Sequence, residues 1–219
     1  MGKIYPESHV EVSGVLARYY EHFLNLGTLG RYGRFVRRAV EDMGIGPEDQ
    51  ILDLGAGTGY NASFMKKFLG DEGAILGLDI SENAIFRFRK RFADSENVKV
   101  EKRRIDEPLP FESRFDKVFT SFVLHGLPHP ARKRVLENVH EVLKPGGKFF
   151  VLDYGDFEVS ELPFYLRIPF RIAECKYAYD YLNRDWETIL MDFGLELVSR
   201  TEYFHGFARL IEAKKLESK

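Results

Sequence analysis

The feature that most limits what this chain can fold into is an alternation of short apolar runs with helical patterns. The runs are 50–54, Ala74 to Ile80, Val98-Lys99-Val100 onward, Phe115 to Phe122, and Phe149 to Leu152. Between them, an amphipathic segment spans Asn61 to Leu69. Ile85, Phe88 and Phe92 share one helical face after Ser81, a good N-cap. Val135, Leu136, Val139, Val142 and Leu143 share another, before a sharp turn at Pro145-Gly146-Gly147. Near-continuous apolar strands suit a parallel sheet covered on both faces. Strand and helix in alternation predict a doubly wound α/β fold. The end of the chain breaks the rhythm. Trp186, Ile189, Leu190 and Phe193 form a helix stopped at Gly194. Leu195 to Phe204 and Phe207 to Lys214 then read as two strands with only His205-Gly206 between them, a hairpin spacing. Ahead of the sheet, residues 8–44 read as helices. Val15, Leu16, Tyr19, Tyr20 and Phe23 lie on one face, and Tyr32, Phe35, Val36, Ala39, Val40 and Met43 form a second stripe after the Gly27 to Gly30 break.

With 219 residues, 44% hydrophobic and 30% charged, the chain has the makeup of one soluble domain with an added lid. Its net charge of −2 provides no global field toward nucleic acid, and none is expected as a partner. The Lys99 to Arg104 cluster reads as a solvated face. A single cysteine, Cys175, excludes an intramolecular disulfide. No run approaches a membrane span and Met1-Gly2-Lys3 lacks a signal-peptide core, so the expected location is cytoplasmic. No metal ligands cluster at usual spacings.

Function is concentrated in Ile51-Leu52-Asp53-Leu54-Gly55-Ala56-Gly57-Thr58-Gly59-Tyr60. An apolar run with an embedded acid becomes a glycine-spaced turn that feeds a helix. That arrangement brings backbone N–H groups to a bound ligand. The pattern is D-x-G-x-G-x-G, and Tyr60 stands where the dinucleotide fingerprint G-x-G-x-x-G would continue otherwise. Taken alone, the stretch could also be an ordinary strand-to-helix turn.

Four blocks in order resemble the class I S-adenosylmethionine (SAM) methyltransferases: Leu52 to Gly59, Gly77-Leu78-Asp79-Ile80-Ser81, Phe115-Asp116-Lys117-Val118, and Val142-Leu143-Lys144-Pro145-Gly146-Gly147. Leu109-Pro110-Phe111 and the Ala17-Arg18-Tyr19-Tyr20 segment are similar to the branch that includes quinone-biosynthesis methyltransferases. The resemblance implies a Rossmann-like, seven-stranded, mostly parallel sheet ending in an antiparallel hairpin, with helices on both faces. It implies an N-terminal helical cap (1–44), a SAM-binding core (45–155), a substrate lid (156–183), and a C-terminal helix and hairpin (184–219). The implied cofactor is SAM, with S-adenosylhomocysteine as product. In the family, the acid matching Asp79 accepts hydrogen bonds from both ribose hydroxyls; the alternative is a helix N-terminal acid facing Ser81. Asp53 helps to hold the cationic methionine end, Gly55 and Gly57 let the backbone approach, and Ile80 packs on the adenine. Ala56, Ser121 and Tyr20 join the cofactor set. Leu109-Pro110-Phe111 puts Ile105 at the adenine-proximal position, with Asp106 one residue late, so either could meet the adenine.

SAM carries its own activated methyl group, so the protein's work is to align a nucleophile, exclude water and, where needed, remove a proton. His125, just past the fourth strand, is the candidate base; the alternative is a structural histidine under the loop. Asp153 and Tyr154, just after the fifth strand, face the expected pocket. His22 and His205 are weaker candidates. The lid segment carries Phe157, Leu162, Phe164, Tyr165, Leu166, Ile168, Phe170, Ile172, Tyr177, Tyr179 and Tyr181, with Arg167, Arg171 and Lys176 interleaved. It reads either as a self-packed helical cap or as a greasy mouth for an apolar acceptor, with lipid or membrane contact through the lid. The expected reaction is methyl transfer to a small, apolar molecule, quinone- or lipid-like. The alternatives are a macromolecular methyltransferase acting on RNA or protein and a non-catalytic SAM-binding protein.

Overall fold

The computed structural model describes residues 32–158 and 176–217. The first predicted helix, with Tyr20 and His22, lies outside the described residues, as do Cys175 and the lid from 159 to 175.

Helix α1 (Tyr32–Asp42) buries Phe35, Val36, Ala39 and Val40, the stripe expected from its spacing. Strand β1 (Gln50–Leu54) leads into α2 (Tyr60–Met65), which tightens into a 3₁₀ turn at Lys66–Phe68 where the sequence reads as one helix to Leu69. Then come β2 (Ala74–Asp79), α3 (Glu82–Arg91), β3 (Val98–Lys102), β4 (Phe115–Ser121), a 3₁₀ turn (Leu124–Gly126), α4 (His129–Val142) and β5 (Leu143–Tyr154). Two short helices, α5 (Lys176–Leu182) and α6 (Trp186–Asp192), precede β6 (Leu195–Tyr203) and β7 (Ala208–Lys215). The Ser81 hydroxyl accepts from the Ala84 N–H and caps α3, as its position predicts.

The seven strands form one sheet in the order β3-β2-β1-β4-β5-β7-β6. β1 to β5 are parallel, and β7 pairs antiparallel with both β5 and β6. Chain order reverses across β1 and β4, a switch point where the strand ends open a crevice. Apolar cores cover both faces: α4, α5 and α6 pack over Leu52, Val118, Phe149 and Ile211, while α1, α2 and α3 pack over Ile51, Phe119, Phe150 and Leu210. The lid segment expected over 156–183 ends in α5, whose Ala178 and Tyr181 are fully buried in the first of these cores.

Two turns differ from expectation. Pro145-Gly146-Gly147 does not separate helix from strand. α4 ends at Val142, and the three residues sit within β5 as a bulge, where the pairing jumps from Phe115 with Leu143 to Lys117 with Lys148. The hairpin is joined by four residues, Phe204 to Phe207, because β6 stops at Tyr203 and β7 starts at Ala208. Phe204, His205 and Gly206 all take positive φ there. Its tip is anchored where the Gly155 N–H donates to Phe207. The Tyr203 hydroxyl donates to Asp42 at 2.7 Å, and Phe35 packs against Tyr203 and Phe204, tying α1 to the hairpin. No helix among the described residues is long and apolar enough to cross a membrane.

Candidate active site

The three glycines after β1 have positive φ and do three different jobs. A Cβ on Gly55 would come within 2.5 Å of Val123, so its size is set by packing against the loop after β4. A Cβ on Gly59 would meet the Phe92 and Phe88 rings at 2.6 and 2.8 Å, which lets α3 close on the turn. A Cβ on Gly57 would meet nothing within 4 Å. Gly57 therefore keeps backbone bare toward open space, the requirement of a ligand cradle. The turn is clamped to β2, since the Gly55 and Ala56 N–H groups both donate to the Leu78 carbonyl.

Asp79 closes the cradle from the end of β2. One carboxylate oxygen accepts from the Gly57 N–H and the other from the Ser81 N–H, each at 2.8 Å. Burial holds its pKa above the ordinary carboxylate range, and the N–H groups of Ser81, Gly57 and Ile80 pull against that rise. The acid thus faces Ser81, as one of the two sequence readings has it, and it also orients the glycine turn. Ile80 follows it, half-buried at the rim.

Asp53 lies across β1 from Gly77. It is 1% exposed, and among the described residues neither carboxylate oxygen has a hydrogen-bond partner. Burial, followed by the nearby charge of Asp79, pushes its pKa up to about 8. An isolated buried carboxylate is expensive and calls for a cation or a proton. The sulfonium and ammonium of SAM are such cations, so the donor set fits this cofactor.

The third-strand loop is held more firmly than its sequence indicates. Asn138 of α4 donates to the Ile105 and Glu107 carbonyls, and the Ile105 side chain is buried. Both Asp106 oxygens are engaged by the Arg104 fork, at 3.1 and 2.8 Å, with Arg134 alongside. Asp106 is therefore charge-compensated inside the protein. Ser121 ends β4, half-buried, opposite Leu152 of β5.

His125 sits in the 3₁₀ turn after β4. Its Nδ1 lies 2.6 Å from one oxygen of Asp153, and its backbone N–H donates to the other at 3.3 Å. Asp153 and Tyr154 are the last residues of β5 itself rather than residues beyond it, and Asp153 is fully buried. With a carboxylate at Nδ1, that nitrogen carries the hydrogen and the basic lone pair lies on Nε2. Aromatic rings surround the imidazole: Tyr154 at 4.7 Å and Phe122 at 6.4 Å between centroids, then Phe157 and Phe207 stacked at 4.9 Å beyond Tyr154. Phe122 takes a φ of 53°, a strained conformation that packing against Phe35 and Tyr154 retains. His205 is exposed at the hairpin tip.

Two buried arginines, Arg132 and Arg209, are not among the residues that the sequence singles out. Arg132 lies on the apolar face of α4, in step with Val135, Leu136 and Val139, and is fully buried. An arginine at helical core spacing was the signal available. Arg209, on β7 opposite Asp153 of β5, is 3% exposed and pairs with Asp156; its segment read only as the second strand of the hairpin.

Residues 51–147 match the family model described as a methyltransferase domain. An uncharacterized methyltransferase of Synechocystis sp. is 30% identical over 85% of this chain and 85% of its own length. A ubiquinone/menaquinone biosynthesis C-methyltransferase of Bordetella parapertussis is 30% identical over 94% of this chain and 86% of its own. The fold also matches a crystal structure of a SAM-dependent methyltransferase from Aquifex aeolicus, with a TM-score of 0.63 at 19% identity, covering 83% of this chain and 89% of that one. The bare backbone at Gly57, the acids on β1 and β2 and these relatives agree: the chain belongs to the class I SAM-dependent methyltransferases, and SAM is its cofactor.

Proposed function

We propose that this enzyme methylates a small apolar acceptor of the quinone class, at a ring carbon of the reduced hydroquinone. The observation that carries the reading is the His125–Asp153 pair set among aromatic rings at the open end of β4 and β5. Flat aromatic walls beside a base suit a planar phenolic ring. The relatives named for ubiquinone/menaquinone biosynthesis support the same class.

In this reading Asp79 accepts from the cofactor ribose and Gly57 gives it room. Asp53 faces the cationic methionine end, Gly55 and Ala56 hold the turn, and Ile80 and Ile105 flank the adenine. Asp106 serves through its arginine pairs, and Ser121 lies between cofactor and acceptor. Tyr20 is the remaining candidate for the cofactor set, and the lid (156–183) is the candidate for the mouth, including any contact with lipid. When bound, SAM supplies an electrophilic methyl group and leaves as S-adenosylhomocysteine. His125 takes the acceptor's hydroxyl proton on Nε2, and Asp153 stabilises the imidazolium. The ring carbon made nucleophilic by that loss forms the new carbon–carbon bond as the sulfur–methyl bond breaks. Loss of the ring proton to solvent restores aromaticity, and the His125 imidazolium returns its proton to the ring oxygen.

The test is anaerobic incubation with methyl-labelled SAM and a chemically reduced 2-prenyl-1,4-naphthoquinone. Label should appear in the naphthoquinol and should fall sharply with His125→Asn. Label that enters only RNA or protein of an added cell extract would overturn the acceptor class.

A further inference from the structure

A buried guanidinium stands directly behind the His125 turn, and methyl transfer as written does not use it. Arg132 Nε donates to the Leu124 carbonyl at 2.8 Å. One Nη donates to the His125 carbonyl at 3.3 Å and to the Tyr177 carbonyl at 2.5 Å. The other donates to Asp180 at 2.6 Å. Asp180 is in turn gripped by the Arg184 fork at 2.8 and 2.7 Å. The guanidinium also lies over the Tyr181 ring, 5.4 Å from its centroid.

Burying a charge this deeply is costly unless its partners are well placed. What Arg132 provides is a second grip on a turn whose own backbone bonds are two, from Gly126 to Val123 and from Leu127 to Leu124. The Leu124–Gly126 turn has three residues, and a single 3₁₀ turn is weakly self-supporting. His125 is fixed at three points: its ring and N–H to Asp153 on one side, and its carbonyl to Arg132 on the other. The guanidinium's rigid fork reaches four acceptors on two elements; a lysine ammonium is a point donor that cannot. Asp180 and Tyr177 belong to α5, whose Ala178 and Tyr181 are locked in the core, so the anchor is stiff.

We propose that Arg132, anchored by Asp180, is a positioning residue that holds the His125 ring in line with Asp153 and the acceptor. The inference rests on His125 acting as the base. It predicts a defect in the chemical step with cofactor binding intact.

The decisive measurement is proton NMR of the full-length protein. A downfield Nδ1–H resonance is assigned to His125 by its absence in His125→Asn. Arg132→Lys should broaden or abolish that signal while SAM titrates with wild-type affinity and stoichiometry. Turnover of the reduced 2-prenyl-1,4-naphthoquinone, per SAM-binding site, should then fall about 100-fold with little change in KM, the scale of a misplacement near 1 Å. Asp180→Asn, a half-exposed site, should weaken the same signal and turnover less severely, and it decides the matter if Arg132→Lys does not fold. An unchanged resonance in the folded variants would overturn the positioning role. Wild-type turnover by His125→Asn would instead sink the base assignment and leave the resonance to judge the geometry alone.

Discussion

Two buried acids stand along the same edge of the sheet, and they are opposites. Asp153 on β5 accepts from His125 Nδ1, from the His125 N–H and from the Tyr154 N–H. Asp53 on β1 is equally inaccessible, yet among the described residues both of its oxygens lack a hydrogen-bond partner. A buried carboxylate surrounded by donors is part of the framework and orients what it holds. One left without donors stabilises the fold poorly as an anion, and in the proposed site it is the group that would meet the cofactor's cation. The acid on β1 is thus left to a partner from outside, as the proposed site requires, while the acid on β5 is paired within the fold.

The sharpest way to break this contrast is to remove each acid. Asp153→Ala should cost about 3–5 kcal/mol in denaturant unfolding, because three donors lose a buried charged partner. Asp53→Asn should leave the free protein as stable as wild type or more so, while weakening SAM binding. Equal losses in the two variants would erase the distinction. Asp79→Ala comes next. It removes the acceptor that orients Gly57 and Ser81, and SAM affinity by calorimetry should fall about 100-fold, given roughly 1.5–3 kcal/mol for each charged hydrogen bond.

A pH series sharpens the comparison further. Folding raises the pKa of Asp53 to about 8, so between the ordinary carboxylate range and that value the folded chain holds a proton that the unfolded chain has lost. Stability of the free protein contributed by this group is therefore complete at low pH and declines as pH rises toward about 8. Cofactor binding runs the other way. Pairing with a cation requires the anion, so affinity should climb with pH and level off near 8, with proton release seen as a dependence of the binding heat on buffer. Asp53→Asn should flatten both trends, leaving only the part that the buried Asp79 contributes; a flat profile in the wild-type protein would refute the assignment.

The glycines give the smallest effects. Gly59→Ala, which drives a Cβ against Phe88 and Phe92, should cost about 1–3 kcal/mol of stability. Gly57→Ala faces open space and should cost about 1–2 kcal/mol for the left-handed backbone. Its SAM affinity should fall further than that of Gly59→Ala.

The alternating runs were legible along the chain because the inner strands β1, β2, β4 and the end of β5 are buried on both faces and the helices on one, so hydrophobic periodicity records the layers directly. Asp53, Gly57 and Asp79 stood out as candidates for a related reason: an acid inside an apolar strand and a glycine at a tight strand-to-helix turn each depart from a local preference, and such departures nominate sites. Other features left no such mark. The two-residue reading of the hairpin failed because Phe204 and His205 accept positive φ only through packing against Phe35 and the close approach at Gly155. Pro145-Gly146-Gly147 reads as a break, yet pairing with β4 carries the strand through it as a bulge.

Read along the chain alone, the layered α/β architecture, the glycine turn and the two acids that flank it were already decided, because they depend on contacts that neighbouring residues encode through spacing. Which glycine packs and which one cradles, that Asp153 meets His125 from 28 residues away, and that Arg132 binds both the His125 turn and α5 emerged only on folding. Those are meetings between distant strands and helices in a dry interior, where the position of one charge or one methyl group outweighs any local preference.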